Sequence, residues 1–297
     1  MNFEDLKDYA AHLYSHYIVP PLTTTTITGN WSSVTDVTIK HHIMDRYNWL
    51  MDLGDPRVRD WPLMSSPWPT LLLTGVYLTF CVYGPRAMGT KSYKLTPLVL
   101  CYNLVCILVN AFVAYELAIT TRNFSWTCEP VDYSRDENAV RVASALWLYY
   151  VSKALEFLDS LFMVLRGKSS QLTFLHVYHH STMFCLWWIG VKYVAGGSSI
   201  FGAMFNSAVH VLMYTYYGLS ALGPAYRRYL GWKKLLTLIQ MGQFVLAIGM
   251  GLNALRVNCN FPLWMQYAMI VYMISFLFLF SNFYVNAYKT GGKKKKT

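Results

Sequence analysis

The chain has 297 residues, of which 55% are hydrophobic and only 13% charged, with a formal net charge of +10. A soluble domain carries about 25% charged residues, so this composition excludes an ordinary soluble enzyme and points to one polytopic membrane bundle. The positive balance suits a membrane surface or an anionic ligand. With no basic soluble domain to carry it, nucleic acid is excluded as a partner.

Residues 1–67 are polar, with Pro and Thr runs, and are expected to form a tail with at most one amphipathic segment. The opening MNFEDLKDYAAHLYSHY has neither the basic start nor the apolar core of a signal peptide. Hydropathy then predicts seven spans, at 68–83, 95–118, 139–165, 172–193, 200–221, 235–255 and 264–288. The expected fold is therefore an all-α membrane protein, with a seven-helix domain over 68–288 and a basic tail over 289–297. Placing the C-terminus in the cytosol puts fourteen Lys and Arg on that side. The short loops on the other side hold only Arg122, Arg135, Lys192 and Arg256, with Arg141 near a boundary, as the positive-inside rule requires. The N-terminus is then lumenal, and so are the sequons at Asn30 and Asn123, candidate glycosylation sites. Of the six Cys, only Cys128 and Cys259 fall in lumenal loops, where an oxidising compartment allows a disulfide between them. Lys294 and Lys295 stand four and three places from the C-terminus, as in cytosolic dilysine retrieval signals of the endoplasmic reticulum.

The fourth span carries His176, His179 and His180. Ionisable groups within a membrane are costly, so such a cluster implies function. The spacing puts all three on one helix face. At a rise of about 1.5 Å per residue, His179 lies about 10 Å from the cytosolic end of its span. Asp159, Gln240 and Asn282 fall at about the same depth, and Asn103 and His210 only slightly deeper. Six of the seven spans thus offer a polar group to one layer. The first offers none and is expected to lie outside a six-helix ring around a chamber open to the cytosol. Within single helices, Lys153, Glu156 and Asp159 step by three, Asn206 and His210 by four, and Thr237, Gln240 and Gln243 by three. Tyr214 and Tyr217 continue the Asn206–His210 face.

Two chemistries fit this set. A metal centre of the membrane-desaturase type needs more His than the four near the layer, because His12, His16, His41 and His42 lie in the tail. A single metal held by three or four His remains as an alternative. Metal-free chemistry fits better and needs no cofactor: imidazole can move protons or attack an activated acyl group such as a thioester. No Cys stands in the polar row as a rival nucleophile.

The run Lys153-Ala-Leu-Glu156-Phe-Leu-Asp159-Ser160 is similar to the K-x-x-E-x-x-D-T box of the very-long-chain fatty acid elongases. His176-Val-Tyr-His179-His180 resembles their histidine box. Asn206-Ser-Ala-Val-His210-Val-Leu-Met213-Tyr214 resembles their N-x-x-x-H-x-x-M-Y box, and Thr237-Leu-Ile-Gln240 their T-x-x-Q box. Trp61-Pro-Leu-Met64, Val131-Asp-Tyr-Ser134 and Leu186-Trp-Trp-Ile-Gly190 look most like the animal type four subgroup, acting on polyunsaturated very long chains. Ser160 departs from the usual Thr but keeps the hydroxyl.

This resemblance implies a 3-oxoacyl-CoA synthase that joins malonyl-CoA to acyl-CoA and holds the acyl chain in a tunnel. It also implies elongation-cycle reductases and a dehydratase as partners beside membrane lipid, and leaves room for a homodimer. Catalytic roles then fall to His176, His179, His180, His210, Asn206, Asp159 and Glu156, with His179 as nucleophile and His210 or His176 as the alternatives. Substrate binding falls to Lys153, Arg166, Lys168, Tyr214, Gln240, Lys233 and Lys234. The competing classes are a metal-dependent membrane oxidase or desaturase and a lipid transporter.

Overall fold

The computed structural model describes residues 31–290, excepting the side chains of 31–41, 227, 229 and 290; Asn30, Lys294 and Lys295 lie outside them. The chain divides into two units. In the first, ending at Asp52, the described part is a single helix, α1 (Trp31–Asp52).

The second unit begins at Leu53, and its regular structure among the described residues is helical, with no strand. Its helices are α2 (Trp68–Met88), α3 (Thr96–Thr120), α4 (Glu137–Leu155), α5 (Phe157–Leu165), α6 (Phe174–Tyr193), α7 (Ser199–Ala221), α8 (Lys233–Arg256) and α9 (Leu263–Tyr284). Four segments among the described residues are long and apolar enough to cross a membrane: α2, α3, α8, and α9 extended to Lys289. The chain is thus a multi-pass membrane protein. The predicted spans at 139–165, 172–193 and 200–221 are also helical, but polar residues interrupt their apolar sequence. Those side chains are sheltered by neighbouring helices, including Lys153, Glu156, His180, Asn206 and His210.

The expected single helix over 139–165 is two. α4 ends at Leu155 and α5 starts at Phe157, with Glu156 at the joint. Ser152 Oγ donates back to Tyr149 O at 2.6 Å, a bond that bends helices. Beyond it Asp159 N reaches Glu156 O at 3.1 Å, a tightened turn.

Local sequence sets the helix starts. Asp136 caps α4 through Asn138 N at 3.0 Å. Thr173 Oγ1 caps α6 through the backbone N–H of His176 at 3.3 Å. Such caps contribute about 1 kcal/mol each. The second places the histidine box in the first turns of α6. α3 packs along α7, α8 along α9, and α4 against α3, α6 and α7, while α2 lies on α5 and α6.

The first span contributes more than expected. Thr70, Thr74, Tyr77 and Cys81 recur at steps of four, three and four, and all are buried on one face of α2. Thr70 bonds Tyr150 at 2.6 Å, Thr74 meets Cys185 at 3.3 Å, and Tyr77 bonds Ser160 at 3.1 Å.

Residues 53–67, read from the sequence as part of the tail, belong to the helical unit. Val58 and Met64 are fully buried. Asp55 and Arg57 form a buried pair at 2.6 Å, and the Arg57 guanidinium also donates to Ala139 O at 3.1 Å and Ala195 O at 3.0 Å. The segment is thereby fastened to the start of α4 and the end of α6. The indole N–H of Trp188 donates to the Leu63 carbonyl at 2.9 Å, which helps hold Leu63 at a φ of 68°.

At the same end, Cys128 and Cys259 are bonded across a sequence separation of 131, with Cα atoms 5.3 Å apart. Ser198 N donates to Glu129 O at 2.9 Å beside Gly197, whose φ is +59° and where a Cβ would strike Glu129 O. Exposed Asn123 lies in the same loop as Cys128. Removing the bridge with Cys128→Ser/Cys259→Ser is expected to cost about 2–4 kcal/mol, read as an earlier thermal transition in detergent.

Candidate active site

A chamber of about 500 Å³ opens inside the second unit. Its wall includes His176, His179 and His180 from α6, Asn206 and His210 from α7, Asp159 from α5, Asn103 from α3, and Gln240 and Gln243 from α8. Arg166, Lys168 and Lys233 also line it. A second, mostly apolar pocket of about 240 Å³ shares His179, Asn206, Gln243 and Phe244 with the chamber and runs on past Met183, Trp187, Phe201, Met265 and Met269. The two therefore adjoin at these shared residues, one lined by many polar groups and the other mostly by apolar ones.

The imidazoles are held from behind. Glu156, 1% exposed, receives the Lys153 ammonium at 2.6 Å and the His210 Nδ1–H at 3.0 Å on Oε1. A carboxylate only accepts, so the proton sits on His210 Nδ1 and its Nε2 is left as a base. Glu156 Oε2 faces His180 Nδ1 at 3.8 Å, and neither atom has a hydrogen-bond partner. Such long contacts commonly tighten when substrate binds. His176 Nε2 meets Ser160 Oγ at 2.8 Å. The His179 ring lies 4.9 Å from that of His180, 6.4 Å from that of His210 and 5.2 Å from Phe276.

Several predicted residues stand elsewhere than the sequence suggests. Lys153 is 1% exposed and does not line the chamber. Its ammonium is engaged by Glu156 and sits 4.3 Å over the Tyr149 ring. Tyr214 is fully buried behind the wall, donating to Asp159 Oδ2 at 2.8 Å. Glu156 bonds an imidazole directly, whereas Asp159 Oδ2 accepts from Tyr214. Lys234 lies over Tyr284 at 5.7 Å, away from the chamber lining, and Asn282 is exposed and bonded to Asn286. Sequence reasoning did not find Tyr149, whose hydroxyl donates to Asn206 Oδ1 at 2.6 Å, or Tyr77. The four-residue polar rhythm of α2 was the available signal for Tyr77.

At the chamber rim, Arg166 and Lys168 are two like charges. Burial first, and then the neighbouring guanidinium, push the Lys168 ammonium below the ordinary lysine range. An incoming polyanion relieves that repulsion.

Residues 62–296 match the ELO: GNS1/SUR4 family. Very long chain fatty acid elongase 4 of Macaca mulatta is 49% identical over 252 residues, covering 84% of this chain and 80% of that protein. The elongase 4 of Homo sapiens is 48% identical over the same length, with the same coverage of each chain. Very long chain fatty acid elongase 7 of Rattus norvegicus is 44% identical over 260 residues, covering 84% of this chain and 91% of its own. The chain belongs to the ELO family of very-long-chain fatty acid elongases.

Proposed function

We propose that this chain is the condensing enzyme of fatty acid elongation, a 3-oxoacyl-CoA synthase that acts on long or very long, polyunsaturated acyl-CoA. The observation that carries this reading is the junction at His179, where a polar chamber rimmed by cations meets an apolar pocket. A CoA thioester has the same two-ended chemistry. Family membership gives the reaction class.

The reaction runs in two stages. The imidazole of His179 attacks the acyl-CoA carbonyl, the C–S bond breaks, and CoA leaves with a proton. Malonyl-CoA then loses CO2, and the carbon of its enolate attacks the acyl carbonyl. The C–N bond to His179 breaks as its ring nitrogen takes up a proton from solvent through the neighbouring histidines, releasing 3-oxoacyl-CoA and the free imidazole. His210 Nε2, His180 and Asn206 relay protons and stabilise the oxyanion. Glu156 and Lys153 hold His210 from behind, and His176 supports His180. No cofactor is required. Arg166, Lys168 and Lys233 attract the CoA phosphates.

In the cell, the domain over 68–288 sits in the endoplasmic reticulum membrane as seven spans, six around the acyl tunnel. Its N-terminal tail is lumenal, and its basic C-terminal tail is cytosolic with a dilysine signal. The elongation-cycle reductases and dehydratase consume its product.

The test is labelled malonyl-CoA with a panel of C18 to C24 acyl-CoAs, given to microsomes carrying the protein, with and without chelator. Label in 3-oxoacyl-CoA that survives chelation supports the reading. Dependence on added iron would favour an oxidase, and no malonyl-CoA consumption a transporter. In the same assay Arg166→Ala/Lys168→Ala is expected to raise KM for malonyl-CoA about tenfold, the equivalent of about 1.4 kcal/mol, with kcat little changed.

A further inference from the structure

No residue of α2 lines the chamber among those described, yet one of its side chains reaches the catalytic histidines indirectly. Tyr77 is 4% exposed, and its ring is stacked on Phe157 at 4.1 Å with an interplanar angle of 10°. That stack directs its hydroxyl to Ser160 Oγ at 3.1 Å. Ser160 is fully buried, and the same Oγ lies 2.8 Å from His176 Nε2. An unbroken row of hydrogen bonds therefore runs from the outer helix to the chamber wall.

We propose that Tyr77 is a positioning residue for the condensation, acting through Ser160 on His176. A phenol is a stronger acid than an aliphatic alcohol, so Tyr77 donates and Ser160 accepts. The Ser160 O–H is then directed to His176 Nε2. A nitrogen that accepts carries no proton, so the His176 proton resides on Nδ1. Without Tyr77 the serine hydroxyl rotates freely, and either His176 tautomer can be satisfied. The consequence spreads inward, because the His176 ring is 4.3 Å from that of His180, which is 4.9 Å from that of His179. Partners behind a reacting group commonly set its tautomer and orientation in this way.

The inference rests on the condensing-enzyme reading, and its test separates the two. Tyr77→Phe removes the hydroxyl and keeps the ring that packs on Phe157. Purified Tyr77→Phe is expected to melt with the wild type. Its kcat should fall about fivefold to tenfold, with KM for acyl-CoA and malonyl-CoA within about twofold. Ser160→Ala should lower kcat at least as far, and adding Tyr77→Phe to it should cost nothing more. A merely structural tyrosine would give losses that multiply in the double variant. Multiplying losses, or Tyr77→Phe at the wild-type rate, overturns the relay while leaving the condensing enzyme in place. Wild-type protein that makes no 3-oxoacyl-CoA overturns both.

Discussion

His179→Ala is expected to abolish condensation, lowering 3-oxoacyl-CoA formation by at least about a thousandfold. His179 alone among the four clustered histidines lines both the polar chamber and the apolar pocket, so a thioester spanning the two presents its carbonyl there. His210 also lines the chamber, but its Nδ1 is tied to Glu156 at 3.0 Å, which suits it to the base role. Intact-protein mass spectrometry after incubation with acyl-CoA alone reads the first stage separately. Wild-type protein is expected to gain the mass of one acyl group and to release one CoA. The alanine variant is expected to gain none, with a thermal transition near that of the wild type. An acyl adduct that persists in His179→Ala moves the nucleophile to another residue. Wild-type protein with neither adduct nor CoA release replaces the two-stage route with direct condensation in a ternary complex.

Glu156→Gln is expected to cost both stability and turnover. The carboxylate lies at the joint between α4 and α5, where it receives Lys153 at 2.6 Å and His210 at 3.0 Å. An amide in its place leaves the buried ammonium without a counter-charge, which typically costs about 3–5 kcal/mol. It also frees His210 to take the other tautomer, and kcat should fall about a hundredfold. Lys153→Met/Glu156→Gln distinguishes these effects. Removing both charges should recover much of the thermal stability, because a neutral pair no longer holds an uncompensated ion. It should recover little of the activity, because an amide, which can donate as well as accept, no longer fixes the His210 tautomer. A Glu156→Gln protein with wild-type melting and turnover would remove the carboxylate from both roles.

The sequence by itself determined which segments are apolar enough to be helices and, within each helix, which residues share a face. Both follow from the 3.6-residue period, and they suffice to align the three histidines of α6 and to pair Asn206 with His210. Rise per residue also assigned Asn103, Asp159, His179, His210 and Gln240 to one layer, and all five line the chamber. What the sequence left open was the rotation of each helix about its own axis, which only contacts with neighbours set. Hence Asn282, at the right depth, faces outward, and Tyr214, on the right helix, stands behind Asp159 instead of in the chamber. Lys153 had the charge to meet CoA, but burial beside Glu156 gives its ammonium a nearer partner. The tertiary structure also decided the break at Glu156, the fastening of residues 53–67, and the inward reach of Tyr77 from a helix that appeared to stand outside. Each of these depends on what packs across from a residue, and that is a property of two helices together.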